Sequence, residues 1–143
     1  MKMSDKELAY GLLRIAFGVN FLGHGMFRIW SGVGQFAATT AEHMTKSPLP
    51  HGFIAGFAQC IPWIETALGV ALILGLLTRV ALACGALFMM ALTFGVTSNQ
   101  QWDTAGQQLL YSVVFFLLLF LLEYNGLAAD CLLQRKKRVG FVA

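Results

Sequence analysis

Long apolar runs alternate with short polar breaks along the chain. The first run covers about residues 8–30, and a long connection, 31–52, follows it. A second run spans about 53–77 and ends at a turn marked by Thr78-Arg79. A third covers about 80–97, and residues 98–104 are polar, with Asn99, Gln100, Gln101 and Asp103. The fourth run, about 105–123, has no polar residue from Val113 to Leu122. Asn125-Gly126 closes it, as glycine commonly does just past a helix end. A membrane span takes about 20 apolar residues. These runs have that length, and they are too continuous for the alternating strands of a barrel. The pattern predicts an all-α protein, an integral membrane four-helix bundle, with residues 1–143 forming a single four-span domain and 131–143 a short basic tail.

The long connection has a period of its own. Val33, Phe36, Ala37, Ala41 and Met44 recur at helical spacing, with Gln35, Thr39, Glu42 and His43 between them. This predicts a short amphipathic interfacial helix that caps one end of the bundle. Gly11, Gly18 and Gly25 recur at seven-residue intervals on one stripe of the first helix, where small residues let a neighbouring helix approach closely.

Composition agrees with the pattern. Of 143 residues, 57% are hydrophobic and 12% charged, against about 45–50% and about 25% in a soluble domain. Four spans leave no room for a soluble catalytic domain. The net charge of +3 is concentrated at Arg135, Lys136, Lys137 and Arg138, just past the last run. There it reads as an orientation and lipid signal rather than a nucleic-acid site. Lys2, Lys6, Arg79 and those four fall on one side of a four-span topology, while Arg28 and Lys46 fall on the other. Both termini are therefore expected in the cytoplasm, the 31–52 loop outside, and the protein in the bacterial inner membrane as a multi-pass protein. The first run lacks a small-residue cleavage site and reads as a retained span.

Hydrocarbon has no water to satisfy a polar side chain, so polar groups at membrane depth are the candidates for function. At about 100° per residue, Asn20, His24, Arg28 and Arg14 share an arc of about 120° on the first helix. That face is expected to turn inward. Glu65 lies mid-way along the second span, and Arg14 is its expected partner. The pair is either a structural tie that fixes register or a proton-accepting carboxylate beside a redox ligand. His24, between two glycines, either bonds within the bundle or meets a ligand. Gln108 and Tyr111 share a face of the fourth span. Trp30, Trp63 and Trp102 sit where an aromatic belt would form, with Trp63 a possible rim for a cavity. Such a cavity, with His24, Glu65 and Tyr111, suits a quinone head group, which needs donors at its carbonyls and a protonatable neighbour. A lipid or other hydrophobic molecule would fit the same description.

Other chemistries lack support. No glycine-rich nucleotide loop, hydrolase triad or HExxH segment is present, and the histidines have no metal-ligand spacing. Cys60, Cys84 and Cys131 form no CxxC pair; the first two are expected to be small buried apolar residues.

Two segments carry a resemblance. Gly18-x5-His24-Gly25, and the run Glu65-Thr-Ala-Leu-Gly69-Val-Ala-Leu-Ile-Leu-Gly75-Leu-Leu-Thr-Arg79, resemble the signature of DoxX-like proteins, and Leu49-Pro50, Gly126 and Asp130 fit the same pattern. Two positions depart from it: Asn99-Gln100 stands where many members have a histidine, and Ala128-Ala129-Asp130 stands for Ser-Leu-Asp. The resemblance implies a four-helix inner-membrane bundle. Its relatives include the membrane subunit of thiosulfate:quinone oxidoreductase, and others act with thiol-redox or stress partners. On that basis the expected function is the membrane subunit of an oxidoreductase system feeding the quinone pool. Its expected partners are the bilayer, a partner subunit or a second copy, and an extracytoplasmic redox protein. In this reading Glu65, His24 and Arg14 are catalytic, His24, Tyr111, Gln108 and Trp63 bind the quinone, and neither metal nor nucleotide takes part. The alternative is a non-enzymatic carrier, lipid-binding or scaffold protein.

Overall fold

A computed structural model of the chain describes residues 3–131. Lys2 and the basic run Arg135–Arg138 lie outside the described residues. Among those described, the elements are α1 (Asp5–Ser31), α2 (Val33–His43), α3 (His51–Leu74), α4 (Thr78–Ser98), α5 (Trp102–Phe120) and a 3-10 turn (Leu122–Tyr124). The fold is all-helical. Helices α3, α4 and α5 are long and apolar enough to cross a membrane. Helix α1, at 27 residues, has the length but is diluted by Arg14, Asn20, His24 and Arg28.

Local chemistry sets the boundaries. A capping box opens α1: the Glu7 N–H donates to Ser4 Oγ (3.3 Å) and the Ser4 N–H to Glu7 Oε2 (2.8 Å). Gly32, at φ 101°, breaks α1 from α2 in a conformation that a side chain would strain. The α3–α4 turn falls at Gly75–Leu77, three residues earlier than the expected Thr78-Arg79 turn; Thr78 instead opens α4. Gly75 adopts the left-handed conformation that ends α3.

Packing follows the glycines. Helices α1 and α3 run antiparallel in close contact. A Cβ on Gly18 would come within 3.0 Å of the Gly69 carbonyl and 2.9 Å of the Ile73 backbone, and one on Gly25 would strike Pro62 and Thr66. Each step of seven along α1 is answered by a step of seven back along α3, so these contacts fix the register. Helix α4 packs on α5, where Phe115 fills the space over Gly85. Between α1 and α5, Phe17, Phe21, Tyr111 and Phe115 form an aromatic cluster with centroids 4.8–6.0 Å apart.

The two ends are tied differently. At one end, Asn99 at the close of α4 receives a bond from the Lys46 N–H (2.9 Å) and donates to the His43 carbonyl (3.0 Å). Asn99 thus anchors the α2–α3 connection. Helix α2 packs through Ala37 and Ala41, both buried. At the opposite end lie the start of α1, the α3–α4 turn and the segment after α5. Cys60 and Cys84 do not behave as expected: both are exposed, since their positions fall on the outer faces of α3 and α4.

Candidate functional site

Toward the α2 end, α1 and α3 on one side and α4 and α5 on the other enclose a cavity of about 490 Å³. That size suits a small-molecule ligand. Phe36, Thr40, Met44 and Leu49 line it from the α2 segment; Phe53, Ile54, Phe57 and Ile61 from α3; Met89, Leu92 and Phe94 from α4; and Phe21 belongs to the aromatic cluster beside it. The polar lining includes His24, Arg28, Glu65, Gln108 and Tyr111.

The expected pairing of Glu65 with Arg14 is incorrect. Arg28 donates from Nη1 to Glu65 Oε1, forming the salt bridge, and its guanidinium carbon lies 4.7 Å from the Phe36 ring centre. The register explains the exchange. Gly25 faces Pro62 and Thr66, so Glu65 stands level with the segment around Gly25, one turn from Arg28. Arg14 lies nearly three turns away, beside Gly75. Glu65 is 6% exposed. Its Oε2 and the Oε1 of Gln108 are both buried without a hydrogen-bond partner among the described residues. Asn20 donates to the Tyr111 hydroxyl (2.8 Å), tying α1 to α5 and leaving Tyr111 its own proton to give.

Four of the candidate residues, His24, Glu65, Gln108 and Tyr111, therefore meet at one cavity, and two do not. Trp63 is 59% exposed, points away from the lining and belongs to the outer surface of α3. Arg14 is fully buried elsewhere. The residue that sequence reasoning undervalued is Arg28. It sat on the polar arc one turn beyond His24, and matching the glycines of α1 against Gly69 would have placed it beside Glu65.

A family model for DoxX matches residues 9–98, more than half of the chain. The chain belongs to the DoxX family. No curated protein and no solved structure matches it. Apolar helices and family together make it a multi-pass membrane protein in a lipid environment.

Part of what carried the DoxX resemblance, the Gly75-to-Thr78 segment and Asp130, is structural, and Arg14 joins it. Arg14 donates from Nη1 to the carbonyls of Leu72 and Ile73 (3.3 Å for the second) and from Nη2 to that of Leu127 (2.9 Å). The last carbonyls of α3 have no partner within the helix, and a cation there also meets the negative end of the helix dipole. Asp130 does the converse for α4. Its carboxylate accepts from the Leu77 N–H (2.8 Å), the Thr78 N–H (2.8 Å) and the Thr78 hydroxyl (2.9 Å). Burial pushes the Asp130 carboxyl up, but the bonds from Thr78 and Leu77 and the charge of Arg14 outweigh it and leave the pKa below its ordinary value. Asn125 donates to the Thr78 hydroxyl (3.0 Å). In this DoxX protein the Gly75-to-Thr78 turn is thus clasped from α1 and from the segment after α5, remote from the cavity.

Proposed function

We propose that this DoxX family protein is a four-span inner-membrane subunit of an oxidoreductase system delivering electrons to the quinone pool, with a quinone site in the cavity. The observation that carries the reading is the Arg28–Glu65 pair set into a mostly apolar cavity, beside acceptor atoms that have no partner among the described residues. Glu65 is buried and Arg28 partly so, and ionisable groups at membrane depth are costly and mark functional sites by default.

Helix α1 serves as the fourth span. Its 27 residues cover about 40 Å at 1.5 Å each, and Arg14, Asn20 and Arg28 all find partners inside the protein. Helix α2 lies in the outer interface. Both termini are cytoplasmic, with Lys6 and Arg79 on that side and Lys46 on the other, so the cavity sits in the outer half, within reach of an extracytoplasmic redox partner.

A quinone, when bound, supplies an acceptor for two electrons and two protons. The residues fit that role. His24 and the Tyr111 hydroxyl would hydrogen-bond the head group, Arg28 holds Glu65 in place, and Glu65 would take up a proton at its free oxygen and pass it to the head group as that is reduced. Phe53, Phe57 and Leu92 exclude water from the ring and tail.

Native mass spectrometry of the protein purified in mild detergent tests the reading, together with quinone-dependent turnover of the membrane complex. A retained quinone or its quinol, and loss of turnover in both His24→Ala and Glu65→Gln with insertion intact, are the expected results. A retained phospholipid with normal turnover in both variants replaces this reading with that of a lipid carrier.

A further inference from the structure

We infer that the cavity selects an apolar molecule whose head group donates a hydrogen bond, a phenol or alcohol hydroxyl, over one of the same shape that can only accept. The inference rests on the reading of the cavity as a binding site and goes beyond it to the head-group chemistry. Two oxygens carry it. Glu65 Oε1 is occupied by Arg28, while Oε2 is buried with no partner among the described residues. Across the cavity, on α5, Gln108 Oε1 is in the same condition. A carboxylate facing a guanidinium offers lone pairs only. The terminal torsions of Glu and Gln are broad, so a small rotation turns either oxygen toward the cavity. A buried acceptor left without a donor is destabilising, because it has given up its water and gained nothing in return. A hydroxyl satisfies it, whereas a carbonyl or ether at the same point sets lone pair against lone pair. An occupant from the quinone pool is thus held preferentially in its reduced, hydroxyl-bearing form, and one from the lipid pool carries a free hydroxyl.

The probe is a long-chain 4-alkylphenol and its methyl ether, a pair that differs in the donor and does not cycle between redox states. Both are titrated calorimetrically into the full protein in nanodiscs, with an alkyl benzoquinone as a third ligand. The phenol should bind at least about ten-fold tighter than the ether, the ratio set by a hydrogen bond to a charged acceptor. Gln108→Leu leaves the ion pair untouched and should cut that ratio several-fold; Glu65→Gln, which removes the charge, should cut it further. Size-exclusion profiles and thermal midpoints verify that both variants fold. Equal affinities for phenol and ether, or an undiminished ratio in both variants, overturn the inference, and the quinone reading survives if the benzoquinone binds. Failure of all three ligands to bind overturns both.

Discussion

Replacing Arg14 by Met separates the structural role of a buried charge from a catalytic one. The guanidinium is fully buried and donates to three carbonyls, those of Leu72, Ile73 and Leu127. Methionine matches the length of the stem but donates nothing, so all three lose their partner. Interhelical hydrogen bonds in membranes contribute about 0.6 kcal/mol on average and about 1.7 at most, giving about 2–5 kcal/mol for three. Relief of a buried charge, whose Nε has no partner among the described residues, offsets part of this. The expected net loss is about 2–4 kcal/mol, read from SDS-induced unfolding of the detergent-solubilised protein. Arg14→Lys keeps the charge on a single nitrogen, which cannot reach both α3 and the segment after α5 as the fork does, and should lose about half as much. Arg14 does not line the cavity. Ligand affinity in Arg14→Met should therefore stay within about two-fold of wild type, whereas Arg28→Met should lose binding at least about ten-fold, because the lost charged hydrogen bond releases the Glu65 carboxylate that the ligand meets. Wild-type stability in Arg14→Met would refute the clasp. So would a folded Arg14→Met that loses ligand while Arg28→Met retains it.

Gly69→Ala should destabilise by about 1–3 kcal/mol, the cost of overpacking, because its Cβ would stand 2.5 Å from the Leu22 backbone nitrogen; Gly56→Ala, with nothing within 4 Å, is the neutral control in the same unfolding titration. Asp130→Ala should cost about 0.5–2 kcal/mol as a lost cap. Its depressed carboxyl contributes stability that is fully present above the unfolded pKa of about 3.9 and is lost as pH falls through the lower folded value; unfolding followed down to about pH 3 should show that loss in wild type and its absence in Asp130→Asn. Trp63→Phe should leave cavity-ligand affinity unchanged by calorimetry, because the side chain lies outside the lining.

The helices were legible because hydrocarbon imposes a simple rule of length and continuity, and every apolar run became a helix within a few residues. The glycine stripe was legible for the same reason: Gly11, Gly18 and Gly25 are all buried. Pairing was not. Arg14 and Arg28 share one face of α1, and choosing between them needs the axial register of α1 on α3, which no periodicity within one helix contains. Once Gly18 meets Gly69, the choice is forced. Trp63 failed differently: depth places it at the right height, but only the rotation of α3 shows that it faces outward. Asp130 had no local signal at all, since it caps a helix that begins 52 residues earlier in the chain.

The family match and the cavity divide the chain along different lines. Residues 9–98 hold His24, Arg28 and Glu65, so the charged half of the site lies within the DoxX match. Gln108 and Tyr111 on α5 lie beyond it. Membership therefore bears on the ion pair and is silent on the opposite wall, where the case rests on geometry: a hydroxyl held by Asn20 and an amide oxygen without a partner among the described residues. The clasp gives this division a physical sense. It fixes α3, α4 and the segment after α5 at one end through Arg14, Thr78 and Asp130, while the other end keeps its space under α2. A substitution at Gln108 can alter what the cavity accepts without disturbing the turn that orders the helices. A substitution at Asp130 does the reverse. Ligand preference and stability should thus vary independently in this fold, the first with α5 and the second with the Gly75–Thr78 turn.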